Sequence, residues 1–250
     1  MFIILLIFFL FGLIIGSFLN CLIWRLYSEE TIKGRSYCPK CRHQISWYDN
    51  IPVLSFIFLK GKCRHCQKKI SWQYPIIELT CAILFALAFD LNVLASASPL
   101  KLFFDLFLIS SLIVIFVFDL RWMMISVKSI YFSAIVLLVL NLFLGFSLGQ
   151  IFLTTLLGVS FFALQYFITW RKGLGEGDIW IGGLLGIAFP NLEQFILVIL
   201  LSYIIGGLTA TILLIFNLKK VGTKLPLGIF LSLGALITLF FGENIVNYFF

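Results

Sequence analysis

Two aspartates stand where apolar runs give way to polar ones: Asp119 in Phe118-Asp119-Leu120-Arg121, and Asp178 at the end of Gly173-Leu174-Gly175-Glu176-Gly177-Asp178. A carboxylate beside lipid is costly unless it has a partner or a task. Two at the same membrane face can hold one proton between them, the working unit of aspartic-protease chemistry. One then acts as general base on a water while the other donates a hydrogen bond to a scissile carbonyl. The sequence leaves open which is which. The competing reading is that each aspartate caps a helix or pairs with a nearby cation, such as Arg121 or Lys172. Asp105 is no partner for Asp119, because 14 residues of helix separate them by roughly 21 Å. Gly175 and Gly177 remove side chains beside Asp178, which predicts a close approach by a substrate backbone.

A second group of reactive side chains lies in Cys38-Pro39-Lys40-Cys41 and Cys63-Arg64-His65-Cys66, with 21 residues between the pairs. Each pair can turn tightly enough to set two thiolates on one ion, and two such pairs complete a tetrahedral zinc site. The alternative is two disulfides, which a reducing compartment disfavours. Four thiolates close the coordination shell, so such a zinc is structural. His65 is a rival ligand and otherwise, like His43, a loop neighbour of the metal. Cys21 and Cys81 fall in apolar runs and read as small buried side chains.

The elements that hold these groups follow from composition. The chain has 250 residues, 62% hydrophobic and 12% charged, with a mean hydropathy of +1.11. That mixture excludes a soluble globular domain and defines an all-α polytopic membrane protein. The net charge of +7 is not a nucleic-acid signature, because the basic residues collect in loops between apolar runs. About eight transmembrane helices are expected, near 1–24, 77–96, 100–118, 129–148, 150–170, 179–190, 194–217 and 225–241. The sixth is short enough to enter the bilayer only partway.

With the N-terminus outside, 17 of the 18 Lys and Arg residues fall on the inner side and only Lys101 faces out. The positive-inside rule then makes 25–76, 119–128, 171–178 and 218–224 cytoplasmic loops. No basic residue precedes Arg25, so the first span reads as a retained helix and not a signal peptide.

The chain resembles the type IV prepilin peptidases, bifunctional membrane aspartyl proteases that also N-methylate their product. The resemblance rests on Gly16-Ser17-Phe18-Leu19-Asn20 running to Arg25, the two Cys pairs, and Trp47-Tyr48-Asp49-Asn50-Ile51-Pro52-Val53-Leu54-Ser55 between them. Tyr74-Pro75-Ile76-Ile77-Glu78-Leu79, Asp119, Gly175-Glu176-Gly177-Asp178 and Pro226-Leu227-Gly228 follow in the family's order. Two departures occur: Ile125-Ser126 replaces the usual Ile-Pro, and Leu227-Gly228-Ile229 replaces an aromatic-glycine-proline run.

The resemblance implies Asp119 and Asp178 as the catalytic pair, and prepilins or pseudopilins as substrates cut at the cytoplasmic face of a prokaryotic inner membrane. It also implies S-adenosylmethionine as methyl donor, although no glycine-rich fingerprint for that cofactor is present. The expected organisation is a first transmembrane helix at 1–24, a zinc-binding cytoplasmic loop at 25–76 associated with methyl transfer, and a peptidase bundle at 77–250. Glu78 is either an amine-facing carboxylate or a first-turn acid that suits the helix dipole. Glu176, Glu29 and Glu30 are candidate counterparts of a basic leader, or solvated surface charge. Gly12-x-x-x-Gly16 and Gly182-x-x-x-Gly186 read as helix-packing stripes. The alternative function is a proton-coupled transporter carrying ions on its intramembrane acids; a third reading is a non-catalytic scaffold.

Overall fold

The structure is a computed structural model that describes residues 1–170, 174–218 and 225–249. Arg171, Lys172, Lys219, Lys220 and Lys224, five of the expected inner-face cations, lie outside the described residues. Among the described residues the chain is helical, with two compact units, 1–98 and 99–250.

The first unit pairs α1 (Phe2–Tyr27) with α3 (Gln73–Leu94). The small residues of α1 explain the close approach. A Cβ on Gly12 would lie 2.6 Å from the Ala82 Cα, and one on Gly16 would lie 2.7 Å from the Glu78 Cα. The expected packing stripe therefore works inside this hairpin. At the ends of these helices, polar side chains bind backbone. Asn20 donates to the Tyr74 carbonyl at 3.1 Å. Arg25 is buried, and its guanidinium donates to the carbonyls of Ile32, Gly34 and Arg35. The connecting segment holds a 3-10 turn at Trp47–Asn50 and the short helix α2 (Leu54–Phe58). Between residues 28 and 72 only Cys38 is buried, so this segment has almost no apolar core of its own.

The second unit is a bundle of α4 (Pro99–Trp122), α5 (Val127–Phe143), α6 (Leu148–Ile168), α7 (Glu176–Ala188), α8 (Leu192–Ile215) and α9 (Leu227–Phe249). Here α4 packs on α5 and α9, α7 on α5 and α6, and α8 on α9. Leu108, Leu112, Leu137, Phe162, Leu185, Val198 and Leu231 fill its core. The stripe on α7 is again a packing device: a Cβ on Gly186 would lie 2.5 Å from the Thr155 Cα, and one on Gly182 would strike Gly158 and Phe162. A reciprocal cap starts α6, with the Ser147 hydroxyl accepting the Gln150 N–H while the Gln150 side chain accepts the Ser147 N–H.

All eight expected apolar runs coincide with helices. Six of them, α1, α3, α4, α6, α8 and α9, are long and apolar enough to cross a membrane. The other two are shorter. α5 has 17 residues. α7 has 13, about 20 Å of helix against a core of about 30 Å, because it is confined between its N-cap Gly175 and Pro190. The chain is a multi-pass membrane protein.

Candidate active site and metal centre

Asp119 and Asp178 are both buried, and both line one cavity of about 690 Å³ in the second unit. Asp119 sits in the last turn of α4, where the helix dipole disfavours an anion. A second helix compensates. α9 begins at Leu227 after Pro226, which has no side-chain acceptor for the free N–H groups of the first turn. The Asp119 Oδ2 takes that role, accepting the Ile229 N–H at 3.2 Å.

Gly228 makes this contact possible. A Cβ there would lie 2.8 Å from the Asp119 Oδ2 and 3.1 Å from the Ile181 Cδ1. Asp178 is held within its own helix: three residues into α7, its Oδ2 accepts the Gly175 N–H at 2.9 Å. The two aspartates are thus helix caps whose carboxylates also line the cavity. Neither forms an ion pair among the described residues. Arg121, a candidate partner in the sequence, lies over the Trp122 ring.

The two glycines before Asp178 differ in purpose. Gly175 has only ordinary contacts where a Cβ would be, whereas a Cβ on Gly177 would strike Ile125, whose own Cβ would be 3.0 Å away. The missing side chain at Gly177 thus makes room for Ile125, while both glycines line the cavity. Spacing alone gave no signal for Gly228, Ile125, Gln165 or Tyr203, all of which shape this region. Gln165 of α6 and Tyr203 of α8 line the same cavity and bond to each other, Tyr203 Oη donating to Gln165 Oε1 at 2.6 Å. Glu176 also lines it and is exposed.

In the first unit Cys38, Cys41, Cys63 and Cys66 converge, with all four Sγ atoms within 4.8 Å of one another. The local chain is the same in both turns. Cys38 N–H donates to the His43 carbonyl and Arg42 N–H to the Cys38 carbonyl; Cys63 N–H donates to Lys68 and Gln67 N–H to Cys63. Arg42 and Gln67 both take positive φ, +60° and +58°. Flanking bridges join Tyr37 to Gln44 and Lys62 to Lys69.

A tetrahedral ion with Zn–S bonds of about 2.3 Å has sulfurs about 3.8 Å apart; Cys38 and Cys66 stand at 4.0 Å. The donor set fits a metal ion. Burial pushes the Cys63 thiol up, but the Cys66 and His65 N–H groups and neighbouring thiols outweigh it and bring it down to about 7. The Cys41 thiol of the same group goes the other way: its hydrogen bond with the His43 backbone lowers it, but burial and the Cys38 and Cys66 sulfurs outweigh that and push it up to about 11. His43 and His65 stack on each other, ring centroids 4.3 Å apart, and neither belongs to the four-sulfur group.

Three acids of this unit, Asp49, Glu30 and Glu78, have partners. Asp49 takes both bonds of a forked contact with Arg64, 2.7 and 2.8 Å, which holds its carboxyl below the usual range. Glu30 is bound to Tyr37 and, at 2.7 Å, to Arg42. Glu78 is buried and accepts the Val53 N–H at 2.7 Å, at a residue whose φ of +62° is unfavourable for a β-branched side chain.

Comparison with known proteins gives matches along most of the chain. Residues 10–91 match the Bacterial Peptidase A24 N-terminal domain, and residues 106–211 match the Type IV leader peptidase family. A prepilin leader peptidase/N-methyltransferase of Aeromonas hydrophila is 30% identical over 271 residues, spanning 96% of this chain and 92% of its own length. The protein so named in Bacillus subtilis (strain 168) is 29% identical over 252 residues, with 96% of each chain covered. The one in Vibrio cholerae serotype O1 is 47% identical over 89 residues, 32% of this chain and 35% of its own. No solved structure matches.

Proposed function

Because the chain belongs to the type IV leader peptidase family, we propose that it is a prepilin leader peptidase/N-methyltransferase whose hydrolytic groups are Asp119 and Asp178. The observation that supports this assignment is a single cavity holding two buried carboxylates, each tethered to the backbone by Oδ2. The two carboxylates then share the working proton. One carboxylate takes a proton from water, and the water oxygen attacks the scissile carbonyl. The other, protonated, donates a hydrogen bond to the carbonyl oxygen and later supplies the proton to the leaving amine. A proton-coupled transporter finds no support in the relatives.

The substrate is a prepilin or pseudopilin with a basic leader followed by an apolar helix. Its cleavage point lies at the cytoplasmic face of a prokaryotic inner membrane, and the N-terminus of the enzyme is outside. Glu30 is committed to Tyr37 and Arg42; Glu176, which lines the aspartate cavity, and Glu29 remain as acids for a leader cation. Zinc, held by Cys38, Cys41, Cys63 and Cys66, fixes the loop of the first unit. S-adenosylmethionine supplies the methyl group for the new N-terminal amine. Asp49 and Glu78, the acids of the expected methyl-transfer region, are engaged with Arg64 and Val53, so they fit anchors of the loop and are not assigned to that cofactor.

The test is the product mass after the purified protein meets a prepilin in detergent, with and without S-adenosylmethionine. Loss of the leader, plus one methyl group only when the cofactor is present, is the expected result. Leader loss alone would retain the peptidase and remove the methyltransferase; an uncut prepilin with a folded enzyme would remove both.

A further inference from the structure

Most of the cavity wall around the two aspartates is apolar, with Met123, Met124, Ile125, Leu174 and Leu227 among its residues. Apart from acids and the Trp180 indole, its polar side chains are Gln165 and Tyr203. They come from two different helices that both span the membrane, α6 and α8. A polar side chain on such a helix is costly unless it is partnered. The pair meets this cost only in part. The Tyr203 hydroxyl donates to the Gln165 Oε1 at 2.6 Å, which fixes the orientation of the amide group. The two N–H bonds of Gln165 Nε2 have no acceptor among the described residues, on a side chain that lines the cavity.

A peptide substrate supplies what is missing. To present a scissile bond to a pair of carboxylates, a segment must leave its helix and become extended, which frees carbonyl oxygens. Each freed carbonyl that enters the mostly apolar cavity needs a donor there. We propose that Gln165 Nε2 is a substrate-binding group that donates to a backbone carbonyl beside the scissile bond, and that Tyr203 is a positioning residue that holds the amide in the donating orientation. This rests on the peptidase reading above. The contact is made to main chain and so is indifferent to substrate side chains, as suits an enzyme acting on several related leaders.

The test uses the full-length protein in detergent with a prepilin-derived peptide spanning the cleavage point. Gln165→Glu keeps the size and the acceptor of the side chain but removes both donors, so its KM should rise about tenfold, with kcat less affected. Tyr203→Phe keeps the ring and frees the amide to rotate, and should raise KM severalfold.

A purely structural pair would give changes of the same kind only through misfolding, so a substrate-side measurement separates the two. Replacing one amide beside the scissile bond by an ester weakens its carbonyl as acceptor. In the wild type one such ester should raise KM, and in Gln165→Glu the same ester should add nothing. Independent, multiplicative effects of ester and mutation at every position would overturn the proposal, as would KM values within twofold of wild type for both variants. Failure of the wild type to cut the all-amide peptide would overturn the peptidase reading instead.

Discussion

At the scale of single residues, each of the two aspartates is a helix cap as well as a proposed catalytic group. Substitution separates the two. In Asp119→Asn or Asp178→Asn the side-chain oxygen can still accept the N–H of Ile229 or Gly175, so the fold should survive. The ionisable group is lost, and leader cleavage should fall by about 10²–10⁴-fold; full cleavage by both variants in membranes would end the assignment. Gly228 gives a sharper prediction because stability and activity should part company. Alanine is the better helix former by about 1 kcal/mol, but its Cβ would sit 2.8 Å from the Asp119 Oδ2 and displace the carboxylate. Gly228→Ala should therefore keep its thermal midpoint while cleavage drops by about 100-fold, the order expected for a misplacement near 1 Å. Parallel losses of stability and rate would point to a packing role alone.

The helices themselves were largely legible, because an apolar run of sufficient length has few alternatives in a membrane. Each of the eight runs from 1–24 to 225–241 became a helix. The exceptions in length have local causes: α7 is confined between Gly175 and Pro190. Also legible were the two Cys-x-x-Cys turns, since metal-ligand spacing is a local property. What the sequence did not disclose were contacts between distant segments. Asp119 capping α9, Ile125 occupying the space at Gly177, and Tyr203 bonding Gln165 each join different helices and leave no periodic trace. The α4–α5 connection offers a prediction at this scale, at the position where the family pattern has proline. Ser126 already has φ of −78° and makes no side-chain cap, so the pyrrolidine ring fits without loss of a bond. Ser126→Pro should stabilise the protein by about 0.4–1 kcal/mol through the unfolded chain, read as a thermal midpoint raised by about 1–3 °C.

For the whole molecule, the division into two compact units separates two sources of stability. The bundle of residues 99–250 has its own apolar core and lines the aspartate cavity from its own residues. The segment between α1 and α3 has one buried residue, Cys38, and four converging thiols. Such a segment cannot offset its conformational entropy by burial. A structural zinc can, since its apparent binding energy in small peptides is about 10–16 kcal/mol. Removing the metal with a chelator should therefore act unevenly. Residues 28–72 should become sensitive to limited proteolysis, and N-methylation should fall with them. Leader cleavage by Asp119 and Asp178 should continue near its untreated rate, and added zinc should restore both the protection and the methylation. The division of labour would be refuted if cleavage and methylation were lost together, at the same chelator concentration, while the bundle stayed resistant to protease. In that case the metal-held loop would be part of the peptidase as well, and the aspartates would depend on it despite having a core of their own.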